Sequence, residues 1–298
     1  MKRLFTLVIV ASGFLLCQAQ QKQDVTTGIA EVNDTKLYYE TAGEGDVIIF
    51  VHGNEGDRRH WDFQFLSLAT EFKVIRYDVR GYGKSALPDS EIAYGNQEDL
   101  KALLDYLNIP KAHVCGLSMG SGIAVNFALS YPEMCNSLIP IGPWAGGYGF
   151  GEYKTPASDS LFYVMGVVSS IAKEKGSKAA TDYFWKGNSV FRNTVRSKKA
   201  LDHLIMVGYD YSFWGFINPS KGLPNQPVAM AHLGEIDIPT LIVTAEYDLE
   251  ACREIAAIMK NEIPNSKLVS FENAGHCMNI EKPDEFNEML VEFINDLK

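Results

Sequence analysis

The segment Gly116-Leu117-Ser118-Met119-Gly120 sets a serine between two glycines at the spacing G-x-S-x-G. A serine hydroxyl is nearly inert at neutral pH. To act as a nucleophile it needs a base within hydrogen-bond reach, a carboxylate to orient that base, and donors for the charge that develops on an attacked carbonyl oxygen. The five-residue pattern is weak alone; its setting strengthens it. An apolar strand pattern over 112–117 runs straight into Ser118, and a helical pattern opens at Met119. Such a turn forces Ser118 into strained backbone geometry, leaves Gly116 and Gly120 free of clashing side chains, and puts the hydroxyl at a helix N-terminus whose amides favour negative charge.

Six histidines compete for the role of base. His52 belongs to a Gly-containing loop after a strand, His60 follows it in a polar stretch, His113 lies early in the strand that feeds Ser118, and His203 and His232 fall in or beside an aromatic-rich insertion. His276, in Asn273-Ala274-Gly275-His276, stands between the last strand and the last helix, where a side chain projects over the carboxyl edge of a parallel sheet. Asp248, in Ala245-Glu246-Tyr247-Asp248, follows the preceding strand and completes the order Ser, Asp, His; Glu246 and Glu250 are its close rivals. A second place for the acid, after the strand ending at Ile141, reads Gly142-Pro143-Trp144 and holds no carboxylate. For the oxyanion, the expected donors are the backbone amides of Met119 and Asn54, with Gly53 permitting the turn. Trp144 is the first choice for a pocket wall. Asp78 and Arg80 are expected to brace the neighbouring loop. Arg58 and Arg59 have the right chemistry for a substrate carboxylate, although a solvated helix start is the expected reading.

These residues need a scaffold that brings strand ends together. Two short β-like runs, 28–32 and 37–41, flank Asn33-Asp34 as a hairpin. Continuous apolar runs at 46–51 and 72–77 fit strands covered on both faces. Strands at 112–117, 135–141, 239–243 and 267–271 alternate with helices at 96–107, 119–128, 250–259 and 284–297. This predicts an α/β fold: a mainly parallel twisted sheet with helices on both faces. Residues 144–234 break the rhythm and are rich in aromatics, as expected of an inserted helical cap. The sheet domain is then 28–143 plus 235–298, without internal repeats.

With 46% hydrophobic and 21% charged residues over 298 positions, the chain is globular, not disordered. At its start, Lys2 and Arg3 precede an apolar run over 4–16 that ends in Cys17-Gln18-Ala19 before a polar stretch. The run is shorter than the roughly 20 residues of a membrane span. It has the layout of a signal peptide over 1–19, cleaved after Ala19, so the protein is expected to be exported, periplasmic or secreted. Cys17 opens a second route, a lipid anchor and membrane contact, against which Leu16 stands where such processing resembles a pattern with Gly, Ala or Ser. The net charge of −10 becomes −12 once Lys2 and Arg3 leave with the leader, which disfavours nucleic acid as a partner. Cys115, Cys135, Cys252 and Cys277 remain, as buried thiols or as disulfides. Their spacing with the histidines matches no zinc site, and no metal or organic cofactor is expected.

Taken in order, His52-Gly53-Asn54, the Asp78-x-Arg80-Gly81-x-Gly83-x-Ser85 segment, the Gly116–Gly120 turn, the Asp248 region, and Gly275-His276 with Glu281-Lys282-Pro283 resemble the α/β-hydrolase superfamily. The resemblance covers essentially 28–298, the cap matching only in position and helical character. Arg59-His60-Trp61-Asp62 and the 76–85 stretch look most like 3-oxoadipate enol-lactonases, small carboxylesterases and cofactor-free haloperoxidases. Ser118 is not the Asp of dehalogenase and epoxide-hydrolase branches, and the Gly-Gly-Pro-Gly run of prolyl aminopeptidases is absent. The resemblance implies a serine hydrolase that cleaves a small carboxylic ester or lactone through an acyl-enzyme on Ser118, and the leader-like start adds the expectation of export. Three alternatives stay open: a carbon–carbon bond hydrolase, a haloperoxidase-like enzyme using the same three residues, and a non-catalytic binding protein, which would be expected to lose one of them.

Overall fold

The computed structural model describes residues 24–89, 93–218 and 228–298; the expected leader at 1–19, with Cys17, lies outside the described residues. The chain opens with a hairpin, β1 (Thr26–Val32) and β2 (Thr35–Ala42). Val32 pairs with Thr35, so only Asn33 and Asp34 make the turn, both left-handed at φ 46° and 54°. Two consecutive positive φ values define the turn whose twist matches that of the strands, and Asn and Asp tolerate it better than bulkier residues.

The chain then alternates: β3 (Val47–Val51), α1 (Asp62–Leu68), β4 (Lys73–Tyr77), α2 (Asn96–Tyr106), β5 (Ala112–Leu117), α3 (Met119–Ser130) and β6 (Cys135–Ile141). An inserted helical region follows, with α4 (Pro156–Asp182), α5 (Lys198–Tyr209) and α6 (Trp214–Ile217). The sheet domain resumes with β7 (Thr240–Tyr247), α7 (Glu250–Glu262), β8 (Ser266–Gly275), α8 (Met278–Glu281) and α9 (Pro283–Asn295). The eight strands form one sheet in the order β1-β2-β4-β3-β5-β6-β7-β8. β1–β2 and β2–β4 are antiparallel and the remaining neighbours parallel, which is the expected α/β architecture. Every residue of β5 is buried, as continuous hydrophobicity requires of a strand with helices on both sides.

Several elements depart from expectation. β7 and β8 run on to Tyr247 and Gly275, and their register shifts between Ala245 and Tyr247. Beyond that irregularity a single further pair, Tyr247 with Gly275, closes the ladder before both chains leave the sheet edge. α1 and α8 are too short for a periodic signal, and α1 buries a polar residue, Gln64, whose amide donates to the Asn279 carbonyl at 2.9 Å. Within the insertion, Thr155 and Ser158 form a capping box at the start of α4, and Gly176, at φ 81°, kinks it. All four described cysteines are buried free thiols.

Arg58 does not sit at a solvated helix start. It is buried, its guanidinium bonded to Glu40 at 2.7 Å and to Asp78 at 3.0 Å, while Arg76 holds Glu40 at 2.6 Å and Asp62 at 2.5 Å. Glu40, Arg58, Arg76 and Asp78 can be interior because each has a partner, while Asp62 meets Arg76 from the surface. Arg59 bonds Asp57 and reaches Asp210 at the end of α5, joining the insertion to the sheet domain.

Buried histidines make the fold sensitive to acid. Burial lowers His60 to about 3 and His113 to about 4, from an ordinary 6.5. The unfolded chain binds protons that these rings refuse, so their contribution is full above pH 6.5 and is lost as pH falls toward 4. His113 bonds the Ser137 hydroxyl at 2.7 Å, a contact Asn can keep. A His113→Asn variant is expected to lose stability less steeply than wild type as pH drops from 6.5 to 4, by up to about 1.4 kcal/mol per pH unit. Parallel curves of urea-unfolding free energy against pH would refute this.

Candidate active site

The site begins where β5 meets α3. Ser118 has φ 54° and ψ −114°, a conformation few non-glycine residues adopt. Its amide donates to the Ile141 carbonyl at 2.8 Å, which fixes the turn against β6. The flanking glycines are required by close approach. A Cβ on Gly116 would stand 2.1 Å from the Gly120 carbonyl oxygen, and one on Gly120 would stand 2.2 Å from that of Val51. α3 is thus pressed against the ends of β3 and β5, and Met119, its first residue, belongs to the turn whose amides lack intrahelical acceptors.

His276 and Asp248 meet over the edge of the sheet. His276 Nδ1 lies 2.7 Å from Asp248 Oδ1, both residues buried. The same carboxylate accepts from the Leu249 amide at 2.7 Å and the Thr244 hydroxyl at 3.0 Å. An acceptor-only partner assigns the proton to Nδ1 and leaves Nε2 as the basic nitrogen. The rivals lie elsewhere: Glu246 is exposed and accepts from the Asn273 amide, and Glu250 is exposed in the first turn of α7. Gly142, at the alternative position for the acid, lies beneath the imidazole, where a Cβ would stand 2.8 Å from the ring.

The loop carrying His276 is gripped by the chain between α4 and α5. The His276 amide donates to the Thr194 carbonyl at 2.6 Å, and a Cβ on Gly275 would stand 2.0 Å from that oxygen. One oxygen of Glu281 accepts from the Gly275 amide at 2.8 Å; the other accepts from the amides of Arg196 and Ser197 at 2.5 and 3.0 Å. Burial raises the Glu281 carboxyl against the pull of these donors.

Asn54 follows β3 in a loop pinned by His52. The Val79 amide donates to His52 Nε2 at 3.0 Å, so Nδ1 carries the proton and donates to the Gly53 carbonyl at 2.8 Å. Burial lowers the pKa of this ring and keeps it neutral. Next to Asn54, Glu55 is fully buried in left-handed backbone, φ 60°, with no hydrogen-bond partner for its carboxyl among the described residues; burial pushes that carboxyl well above the usual range.

Asn54, Ser118, Met119, Trp144 and His276 all line one cavity of about 630 Å³. Its walls are largely apolar and rich in aromatic rings: Phe162 from α4, Phe184, Trp185 and Phe191 after it, Trp214 and Phe216 from α6. Trp144 is tied to the serine turn through Ser121, whose hydroxyl accepts from the Trp144 amide at 2.6 Å and donates to the Ser118 carbonyl at 2.7 Å. Among the described lining residues Arg80 is the one Lys or Arg, and its guanidinium is committed to Asp99 at 2.6 and 2.8 Å and to the Asn33 carbonyl. Arg58, Arg59 and Asp78 do not line the cavity. Cys252 lies within 4.8 Å of the Asp248–His276 pair, but burial pushes its thiol well up, away from the thiolate that metal binding needs.

Tyr82, Thr194, Trp185, Glu55 and Glu281 had no assigned role in the sequence. Glu281 stood only in a matching segment; the others are ordinary residue types whose contacts come from distant parts of the chain. Glu55 yields a test. Its raised pKa means that the unfolded chain ionises above 4.5 while the folded chain holds its proton, so the group subtracts stability as pH rises. Glu55→Gln is expected to gain stability relative to wild type between pH 4 and pH 8. A pH-independent difference in unfolding free energy would refute this.

Known proteins bear on this geometry. A family profile described as alpha/beta hydrolase fold matches residues 46–163. A 2-hydroxy-6-oxo-6-phenylhexa-2,4-dienoate hydrolase of Comamonas testosteroni is 24% identical over 270 residues, 89% of this chain and 93% of that protein. A thermophilic esterase from Thermogutta terrifontis superposes with a TM-score of 0.76 at 23% identity, covering 91% of this chain and 99% of its own. The enol-lactonase from Burkholderia xenovorans LB400 does so at 0.73 with 24% identity, covering 90% and 100%. With the sheet order and the strand-turn-helix at Ser118, these likenesses give the chain the α/β-hydrolase fold and make it a serine hydrolase of that fold.

Proposed function

We propose that the protein is an exported hydrolase that cleaves a small, uncharged carboxylic ester or lactone through an acyl-enzyme on Ser118. The observation that carries this reading is the cavity over Ser118 and His276: apolar walls rich in aromatic rings and, among the described residues, no uncommitted Lys or Arg. An apolar cavity of this size suits a small organic acyl or aryl group. A substrate carboxylate would enter it without a partner for its charge. Trp185, whose indole N–H is buried with no partner among the described residues, offers a donor to a neutral oxygen.

In the proposed mechanism His276 Nε2 takes the Ser118 proton as Oγ attacks the carbonyl carbon, and the oxyanion sits between the amides of Asn54 and Met119. The imidazolium returns that proton to the departing alkoxide. Asp248 stays ionised throughout and stabilises the imidazolium. Water, deprotonated by His276, then attacks the acyl-enzyme; the tetrahedral adduct collapses, releasing the acid and restoring the Ser118 hydroxyl.

The relative named for a dienoate favours a second reading, carbon–carbon bond hydrolysis with the same three residues. A dienoate carries a carboxylate, and the committed Arg80 weighs against it. Export rests on Lys2 and Arg3, the apolar run over 4–16 and the small Ala19.

Two measurements test the reading. A fluorophosphonate probe is expected to label Ser118 in the purified protein and to leave Ser118→Ala unlabelled, and p-nitrophenyl esters or simple lactones should be turned over at least tenfold faster, by kcat/KM, than a vinylogous diketone bearing a carboxylate. The reverse preference would move the protein to the carbon–carbon class. Expression in a bacterium with a secretory pathway is expected to yield a periplasmic or secreted product beginning at Gln20; a cytoplasmic product retaining Met1 or the leader would remove export from the proposal.

A further inference from the structure

We infer that the Tyr82 phenol is a positioning residue for the oxyanion-stabilising amides, holding Asn54 and Met119 in register and tying them to the seating of the helical insertion. The inference rests on the reading of Ser118 as nucleophile and of these two amides as the oxyanion site.

Tyr82 lies in the loop after β4 between Gly81 and Gly83, both at positive φ. Its hydroxyl donates to Asn54 Oδ1 at 2.8 Å and stands 3.2 Å from Met119 Sδ. One oxygen thus touches the side chains of both residues whose amides are assigned to the oxyanion. Asn54 Oδ1 also accepts from the Glu55 amide at 3.0 Å, so the bond from Tyr82 completes a two-donor clamp on the loop in which the Asn54 amide sits. These residues follow β3, β4 and β5, and the phenol is where the three segments meet.

The ring itself has little freedom. The His52 edge meets it at 5.1 Å and 66°, and Tyr211 stacks on it at 4.7 Å with planes 7° apart. Tyr211 follows α5 and packs on Phe213 at 4.7 Å and on Phe216 of α6 at 6.4 Å. A continuous path of ring contacts therefore runs from the insertion through Tyr211 and Tyr82 to Asn54 and Met119. Burial raises the phenol's pKa, so it stays a hydrogen-bond donor over the working pH range. Oxyanion stabilisation depends on amides placed about 2.7–3.1 Å from the charge. A misplacement near 1 Å costs on the order of a hundredfold in rate. Since Tyr82 also lines the cavity, a direct contact with substrate is the competing role.

Tyr82→Phe separates the two. As a positioning residue, Tyr82 predicts that kcat falls about 10- to 100-fold with KM within about threefold. The inhibition constant of a boronic acid, which forms a tetrahedral adduct on Ser118, should rise by the factor by which kcat/KM falls. Asn54→Ala removes the acceptor and keeps the amide; it should show the same kcat-selective loss, and the double variant should lose little more than the worse single one. Should Tyr82→Phe not fold, judged by thermal unfolding, Asn54→Ala alone carries the test. Unchanged kcat, a rise in KM at constant kcat, or multiplicative losses in the double variant overturn the inference. A wild-type protein that takes no fluorophosphonate on Ser118 overturns instead the reading beneath it.

Discussion

The backbone at Ser118 occupies a region that costs about 1–3 kcal/mol, and it does so only because a helix and two strand ends crowd against it. Gly116 faces Gly120, Gly120 faces the carbonyls of Val51 and His52, and the Ser118 amide is tied to Ile141 on the neighbouring strand. The turn is over-determined by packing in which any side chain would intrude. Once β3, β5 and β6 are locked at this point, the loops that leave β3, β7 and β8 emerge beside it at the carboxyl edge. Asn54 and His276 then need only short connections to reach one cavity, and Asp248 to reach the imidazole. Chemistry here is a property of where parallel strands stop.

The second organising force is electrostatic self-sufficiency. Glu40, Arg58, Arg76 and Asp78 form a buried lattice under the loops after β3 and β4, and Arg80 is paired with Asp99. Asp78 also accepts the amides of Arg58 and Lys84, and a Cβ on Gly83 would stand 2.3 Å from its carboxylate. These charges cost desolvation and recover it by pairing. These pairs hold the loops, and Arg80, the one Lys or Arg among the described lining residues of the cavity, reaches it already paired with Asp99.

Much of the site was legible because its signals are local. The run into Ser118, the helix after it, and the position of Asp248 and His276 behind successive strands all follow from period and punctuation within a few residues. What escaped depends on partners far away in sequence. Arg58 looked solvated because its neighbours are polar, yet its partners come from elsewhere, Glu40 on β2 and Asp78 just after β4. Gln64, which carries no local signal, is buried because Asn279 meets it from the far end of the chain. Tyr82, Glu55 and Thr194 have ordinary local patterns and acquire meaning only through contacts with other loops. α1 and α8 were missed because one or two turns are too short to show a period, and β7 and β8 overran their apolar cores because pairing with each other, not hydrophobicity, extends them.

The grip on the His276 loop by Thr194, Arg196 and Ser197 sets a limit on how this molecule can diversify. In many two-part enzymes the segment that shapes the pocket is modular: it can be exchanged, lengthened or trimmed while the reacting groups stay with the scaffold. Here the stretch between α4 and α5 serves both purposes, because the carbonyl of residue 194 and the amides of 196 and 197 hold the histidine's backbone directly and through Glu281. New specificities are accessible through the faces of α4 and α6. A transplanted cap that fails to recreate those three backbone groups would arrive with a well-shaped pocket and a base that has lost its anchor.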